Sequence, residues 1–338
     1  MFLLLSSLAL LTLLILFLIS KSHKFHGSSR SRLLPPGPSG LPLIGNLHQL
    51  GKSPLHCTLH QLSRRYGPLM YLQLGCVPAV VVSSAGMAKE IFKTHDLESS
   101  GRPLPVTIQK ETYNRLDLVF SPYGEYWREV RKICIIILFC TKSVQSFRFI
   151  REDEISILIQ SISKSAATSN PINLSEMIFS TANSIICRMA FSKSFHRGAS
   201  ETSSFYEMLD ERHALIRSFA FANYFPYVGW MLDSLTGLNT RLERNFQQFE
   251  SFYRQTIEGH LDLKRQNPEK EDIIDTLLRM QKDKSSAIDF TLDHIKAIVT
   301  DILIAGVDTT TATLVWALTL LAKNPKVMKK AQNEVRSL

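Results

Sequence analysis

The chain has 338 residues, 45% of them hydrophobic, and carries a net charge of +9 from 39 basic and 30 acidic side chains. That is enough material for one sizeable core or two smaller ones. Its five cysteines, odd in number and scattered, exclude a disulfide framework or a cysteine zinc site and suit reduced cytosolic thiols.

The charge is unevenly placed. No acidic residue precedes Glu90, whereas Lys21, Lys24, Arg30, Arg32, Lys52, Arg64, Arg65 and Lys89 all fall in that leading stretch. Phe2 to Ile19 is apolar apart from Ser6, Ser7 and Thr12, which predicts a membrane-spanning helix. A cleaved signal peptide would want a charged start, a shorter apolar run and a small-residue cleavage site, and none is present. The basic residues directly after the span place the body on the cytosolic side. They are expected to meet anionic membrane lipids; no nucleic-acid motif accompanies the charge, so no nucleic-acid partner is predicted. Leu33 to Pro42, with prolines at 35, 36, 38 and 42, predicts a semi-rigid hinge. The domain boundaries read as 1–20 membrane anchor, 21–42 basic and Pro-rich hinge, and 43–338 main body.

Within that body the spacing predicts a helix over Pro54 to Tyr66. A hairpin of Leu69 to Leu74 with Pro78 to Ser83 turns through Gly75-Cys76. Beyond it the pattern is almost wholly helical: Ala85 to Thr94, Pro122 to Phe139, Thr141 to Ser163, Leu174 to Phe191, Glu201 to Phe219, Leu238 to Lys264 and Asp272 to Lys282. A long helix from about Thr291 to Ala322 and a last one from Pro325 complete it. The fold class is mainly α with a small β-sheet. Asn173 with Glu176 three residues on marks a helix start.

Several motifs carry no chemistry. Gly45 to Ser53 has five residues between its glycines where a phosphate loop needs four. His56 and His60 stand at i, i+4 without the glutamate of a metalloprotease helix, and no serine-nucleophile elbow occurs. The aromatic run Phe219 to Trp230 reads as an irregular apolar segment that is core, a substrate route or a membrane contact.

Two stretches point to a site. In Ser121-Pro122-Tyr123-Gly124-Glu125-Tyr126-Trp127-Arg128-Glu129-Val130-Arg131-Lys132, Ser121 is a candidate cap. Trp127 and Arg131 then share a helix face and offer an indole N–H and a guanidinium to a carboxylate. In the long helix, roughly 48 Å if continuous, Ala305-Gly306-Val307-Asp308-Thr309-Thr310 interrupts a run of large apolar residues. Gly306 costs about 1 kcal/mol relative to alanine there. The Thr309 hydroxyl can reach back to the Ala305 carbonyl. The stretch is either a packing glycine in a core helix or a groove where a small ligand meets a hydroxyl and a carboxylate.

An anchor, a Pro-Pro-Gly-Pro hinge, Tyr-Trp-Arg-x-x-Arg-Lys and Ala-Gly-Val-Asp-Thr-Thr in a late long helix, in this order, together resemble a plant-type microsomal cytochrome P-450. The resemblance implies a haem-thiolate monooxygenase that inserts one oxygen atom from O2 into a small apolar organic substrate. Electrons would come from NADPH through a cytochrome P-450 reductase, and the body would face the cytosol from the endoplasmic reticulum membrane. It implies that Trp127 and Arg131 bind the haem propionates, that Ala305 and Gly306 make room for dioxygen, and that Asp308 and Thr309 deliver protons. It also implies a later Glu-x-x-Arg pair and a ligand cysteine within Phe-x-x-Gly-x-Arg-x-Cys-x-Gly. Neither lies in these residues; Glu125 to Arg128 belongs to the early helix, and no metal ligand is assigned. The chain is therefore expected to be the amino-terminal portion of such an enzyme. The alternative is a truncated, catalytically inactive membrane-anchored fragment or binding protein.

Overall fold

The computed structural model describes residues 34–51, 53–195, 200–262, 271–284 and 287–337. The predicted anchor and its basic flank lie outside the described residues, as does most of the charged stretch from Lys264 to Asp272, which its composition predicts to be a solvated connection. The chain divides into two compact units, each assembled from two segments. One comprises residues up to Gly101 with Phe219–Asn239, and the other Arg102–Ser218 with Thr240–Leu338.

In the first unit, α1 (Leu55–Tyr66) leads into β1 (Leu69–Leu74), which pairs antiparallel with β2 (Val77–Val82) in the register Leu69↔Val82 to Leu74↔Val77. The predicted hairpin is therefore present, with β2 one residue earlier at each end. Gly75 turns it with a left-handed φ of 58°, where a side chain is strained and where a Cβ would lie 2.7 Å from the Tyr224 carbonyl. The Cys76 N–H donates to that same carbonyl at 2.8 Å. α2 (Ala85–Lys93) follows, its N-terminus capped by the Ser84 hydroxyl.

The second unit is helical. α3 (Glu125–Ile133) runs into a π-helical turn, Cys134–Leu138, closed by the Phe139 N–H on the Cys134 carbonyl at 2.9 Å. Then come α4 (Thr141–Ser146), α5 (Arg148–Ala167), α6 (Leu174–Phe191) and α7 (Ser200–Ile216). α8 (Gly229–Leu235) belongs to the first unit. α9 (Leu238–Leu261, in the second unit from Thr240), α10 (Ile273–Lys282), α11 (Leu292–Lys323) and α12 (Pro325–Arg336) complete the described chain.

Two expectations fail locally. Thr141 to Ser163 is not one helix: it breaks at Phe147, whose backbone leaves helical geometry as its ring packs on the core. The early helix starts at Glu125 rather than Pro122. Ser121 does not cap it, and its hydroxyl is buried without a partner.

The core gathers around α6 and the first half of α11. Ile295, Ile298, Val299, Leu303 and Val307 of α11 are almost fully buried, together with Ala182, Cys187, Ala190 and Phe191 of α6. Each large apolar side chain buried in this way contributes roughly 1.5–3 kcal/mol. The small residues of α6 let the two backbones approach closely. Tyr253 of α9 donates its hydroxyl to Thr300 at 2.8 Å, while Thr300 donates to the Lys296 carbonyl, so the polar atoms at this crossing are satisfied. The second half of α11 is different: Leu314, Trp316 and Leu320 are exposed, Trp316 at 66%. In the 338-residue chain, Leu303→Ala is expected to cost about 2–5 kcal/mol in urea unfolding and Leu314→Ala less than about 0.5 kcal/mol. Equal losses at the two positions would refute this division of the helix.

Candidate functional site

The site builds from an irregular segment, residues 102–124, held by buried carboxylates. Asp301, on the fourth turn-step before Ala305, accepts the backbone N–H groups of Leu118 and Val119 on Oδ2, at 2.8 and 3.3 Å. Asp117 accepts those of Val119 and Phe120, at 3.1 and 2.7 Å. Burial first, and the neighbouring Asp117 second, push the Asp301 carboxyl up to about 7. These bonds fix the bends of residues 117–120, and the helix begins only at Glu125.

On α3, the Trp127 indole N–H donates to the Leu118 carbonyl at 3.1 Å, on the segment that Asp301 clamps. One of the two donors predicted for a carboxylate is thus engaged with backbone. Arg131 is exposed, with its guanidinium over the Trp127 ring at 5.2 Å. Among the described residues no carboxylate pairs with it. Trp127 therefore braces the segment that Asp301 clamps, while the Arg131 guanidinium stays exposed beside it.

On α11, the Thr309 hydroxyl donates to the Ala305 carbonyl at 2.6 Å, as its spacing predicts. Thr313 and Thr319 make the same bond to Thr309 and Val315, which is how this helix accommodates its threonines. Ala305 and Thr309 are exposed and open a stripe that continues through Thr313, Trp316 and Leu320. Gly306 faces elsewhere. A Cβ there would stand 2.7 Å from Ile186 Cδ1 on α6, so this glycine serves packing. The two sides of the helix differ: Gly306 packs against α6, and Ala305 with Thr309 lies on the exposed side.

Asp308 lies between these faces, and its Oδ2 is 3.4 Å from Nε2 of His213 on α7. His213 had not stood out: nothing in Glu211-Arg212-His213-Ala214 signals a partner 95 residues on. Asp301 offered a weak signal, as a lone charge one helical turn before Ala305 in an apolar run. Two clefts, of ≈ 230 Å³ along Leu34–Gly45 and ≈ 680 Å³ around Met280–Leu292, are lined by other residues.

Comparison with known proteins gives a consistent picture. A family model described as Cytochrome P450 matches residues 35–338. Strychnine-11-hydroxylase of Strychnos nux-vomica is 45% identical, across 100% of this chain and 66% of its own length. Cytochrome P450 71A9 of Glycine max is 46% identical, across 97% and 65%. A 2-methylbutanal oxime monooxygenase of Manihot esculenta is 42% identical, across 98% and 64%. Among solved structures, a zebrafish cytochrome P450 with progesterone superposes with a TM-score of 0.70 at 25% identity, covering 85% of this chain and 65% of that one. The chain thus spans about two thirds of the length of the curated relatives it matches.

The clamp has a pH signature. A carboxyl raised in the folded state contributes most below its ordinary value of 3.8 and loses that contribution as pH rises through about 7. Asp301→Asn keeps an acceptor for Leu118 and removes the buried charge. It is expected to raise Tm relative to the parent at pH 8 and to change it little or lower it at pH 5. A gain that is the same at both pH values would contradict the assignment.

Proposed function

The chain belongs to the cytochrome P450 family, and on that premise we propose that the protein carrying it is a haem-dependent monooxygenase. It would insert one oxygen atom from O2 into a small apolar substrate, with electrons drawn from NADPH through a membrane-bound reductase. One observation carries the reading. An exposed Ala305/Thr309 face on a buried helix stands beside a half-buried carboxylate, Asp308, with the Thr309 hydroxyl fixed at 2.6 Å from the Ala305 carbonyl.

The residues fit a flat apolar group with carboxylate arms. The open stripe of α11 begins at the small side chain of Ala305, which leaves room for a diatomic ligand. Arg131, without a carboxylate partner among the described residues and stacked on Trp127, suits a propionate. Haem, when bound, supplies the iron at which dioxygen is activated. Thr309 gives its proton to the Ala305 carbonyl and so presents its oxygen lone pairs to the open face as a hydrogen-bond acceptor. Asp308, partly exposed, exchanges protons with solvent and can pass them toward that hydroxyl. Gly306 keeps α11 close to α6, so the face does not shift.

No cysteine of the chain is assigned as iron ligand. Burial pushes the Cys134 thiol up to about 12 and raises that of Cys187 as well, which disfavours either thiolate. The second reading, for the 338 residues by themselves, is a membrane-anchored binding protein without catalysis.

In the full arrangement we assign residues 1–20 to an anchor in the endoplasmic reticulum membrane, 21–42 to a hinge on anionic lipid, and 43–338 to the catalytic body on the cytosolic side. In the first unit Tyr227, Trp230 and Leu235 expose large apolar surfaces, Leu235 at 82%, which suits lipid contact or capture of an apolar substrate.

The protein carrying this chain, reconstituted with the reductase under 18O2, is expected to place one labelled oxygen atom in each product molecule. Thr309→Ala is expected to cut product formed per NADPH about tenfold or more. Product oxygen derived from water, or product formed per NADPH unaffected by Thr309→Ala, would sink the proposal. A normal haem-thiolate band in the reduced, CO-bound spectrum of the 338 residues alone would count against the binding-protein reading.

A further inference from the structure

The pair His213–Asp308 has no place in the residues that the motif assigns. Its two members differ sharply. The His213 side chain is 6% exposed and that of Asp308 is 41% exposed. The histidine is held rigidly. Its neighbour Arg212 is buried against Glu111 at 3.2 Å, stacks over the Phe249 ring at 3.4 Å, and donates from Nε to Asn245 at 3.3 Å. From α6 the Phe179 ring meets the imidazole edge-on, with centroids 6.4 Å apart. The carboxylate, by contrast, is partly exposed and lies between the packed and the open sides of α11. At 3.4 Å the two are within ion-pair distance, yet Nε2 makes no aligned hydrogen bond and is buried without another partner. A fixed, desolvated imidazole thus faces a carboxylate that has room to turn.

We propose that His213 is a positioning residue for Asp308: as a neutral imidazole it leaves the carboxylate free to turn toward the open face, and as an imidazolium it pins the carboxylate against α7. This rests on the reading of Asp308 as proton carrier. The charged groups around the ring are Asp308 from α11, with Asp210, Arg212 and Arg217 from α7 and its end. Burial, the leading influence, together with the two arginines, lowers His213 below the ordinary histidine value, and the two aspartates oppose that. The imidazole is therefore neutral at pH 7, and the pin engages only in acid. Pairing an imidazolium with a carboxylate at this distance in a desolvated setting strengthens the contact well beyond that of the neutral pair. Asp308 then leaves the proton path.

The test has two arms. In the full chain carrying 13C-labelled histidine, the His213 resonance is identified as the one missing from the His213→Gln spectrum, or from His213→Asn if the first variant does not fold. Its midpoint is expected below that of the exposed histidines, and Asp308→Asn is expected to lower it further by about one pH unit. An unchanged midpoint in Asp308→Asn overturns the pairing. In the haem-loaded enzyme, product formed per NADPH is expected to fall in the parent as pH drops through that midpoint and to stay flat in His213→Gln. Parallel profiles in parent and variant overturn the positioning role. If Asp308→Asn leaves product per NADPH at the parental value, the proton-carrier reading fails, while the titration arm still reports on the pair.

Discussion

The packing of α6 against the first half of α11 is the constraint on which the second unit depends. A helix turns about 100° per residue, so fixing one face fixes all the others. Leu303 and Val307 face the core, and this turns Ala305 and Thr309 outward without any further instruction. Gly306 sits against α6, with Ile186 occupying the space of a side chain. The same contact therefore stabilises the fold and orients the site.

A second requirement comes from the irregular chain between Arg102 and Gly124. Such a segment carries backbone N–H groups that helices and strands would otherwise satisfy. Here carboxylates do so. Asp117 and Asp301 each accept two, and the Trp127 indole in turn satisfies the Leu118 carbonyl. Desolvating two neighbouring acids is costly, as the raised Asp301 carboxyl records. The return is order in a stretch with little regular structure. Further along, Glu250 gathers Lys296 at 2.5 Å and the Tyr113 hydroxyl at 2.6 Å, tying the same segment to α9 and α11.

Features set by local pattern were legible in the residues themselves. The bounds of α6 follow from Asn173, whose side chain accepts the Glu176 N–H, and from an apolar periodicity that ends at Phe191. The hairpin follows from two short, largely apolar runs around Gly75, and the Thr309–Ala305 bond from a spacing of four. Features set at long range were not legible. The bends before α3 depend on Asp301, more than 180 residues away, and the break at Phe147 on where its ring finds the core. Trp127 could be placed on a face with Arg131, but not shown to spend its N–H on Leu118. Gly306 was ambiguous because spacing alone does not say which neighbour approaches it. His213 gave no sign, since nothing in an isolated helix marks a histidine that a carboxylate on another helix will meet.

These long-range links also register the two halves of the site against each other. Trp127 is bonded to the Leu118 carbonyl, and the Leu118 N–H is bonded to Asp301, one helical turn before Ala305. The guanidinium of Arg131 rests on the Trp127 ring, so its position follows the indole. A planar guanidinium is suited to this double duty, stacking on the ring while its edge stays available to a carboxylate; a lysine ammonium would keep the charge but lose the stack. The anion donor on α3 and the open face on α11 are thus connected through two hydrogen bonds and one stacked pair. Movement of one must be transmitted to the other, and the buried acid at 301 is the link through which it passes.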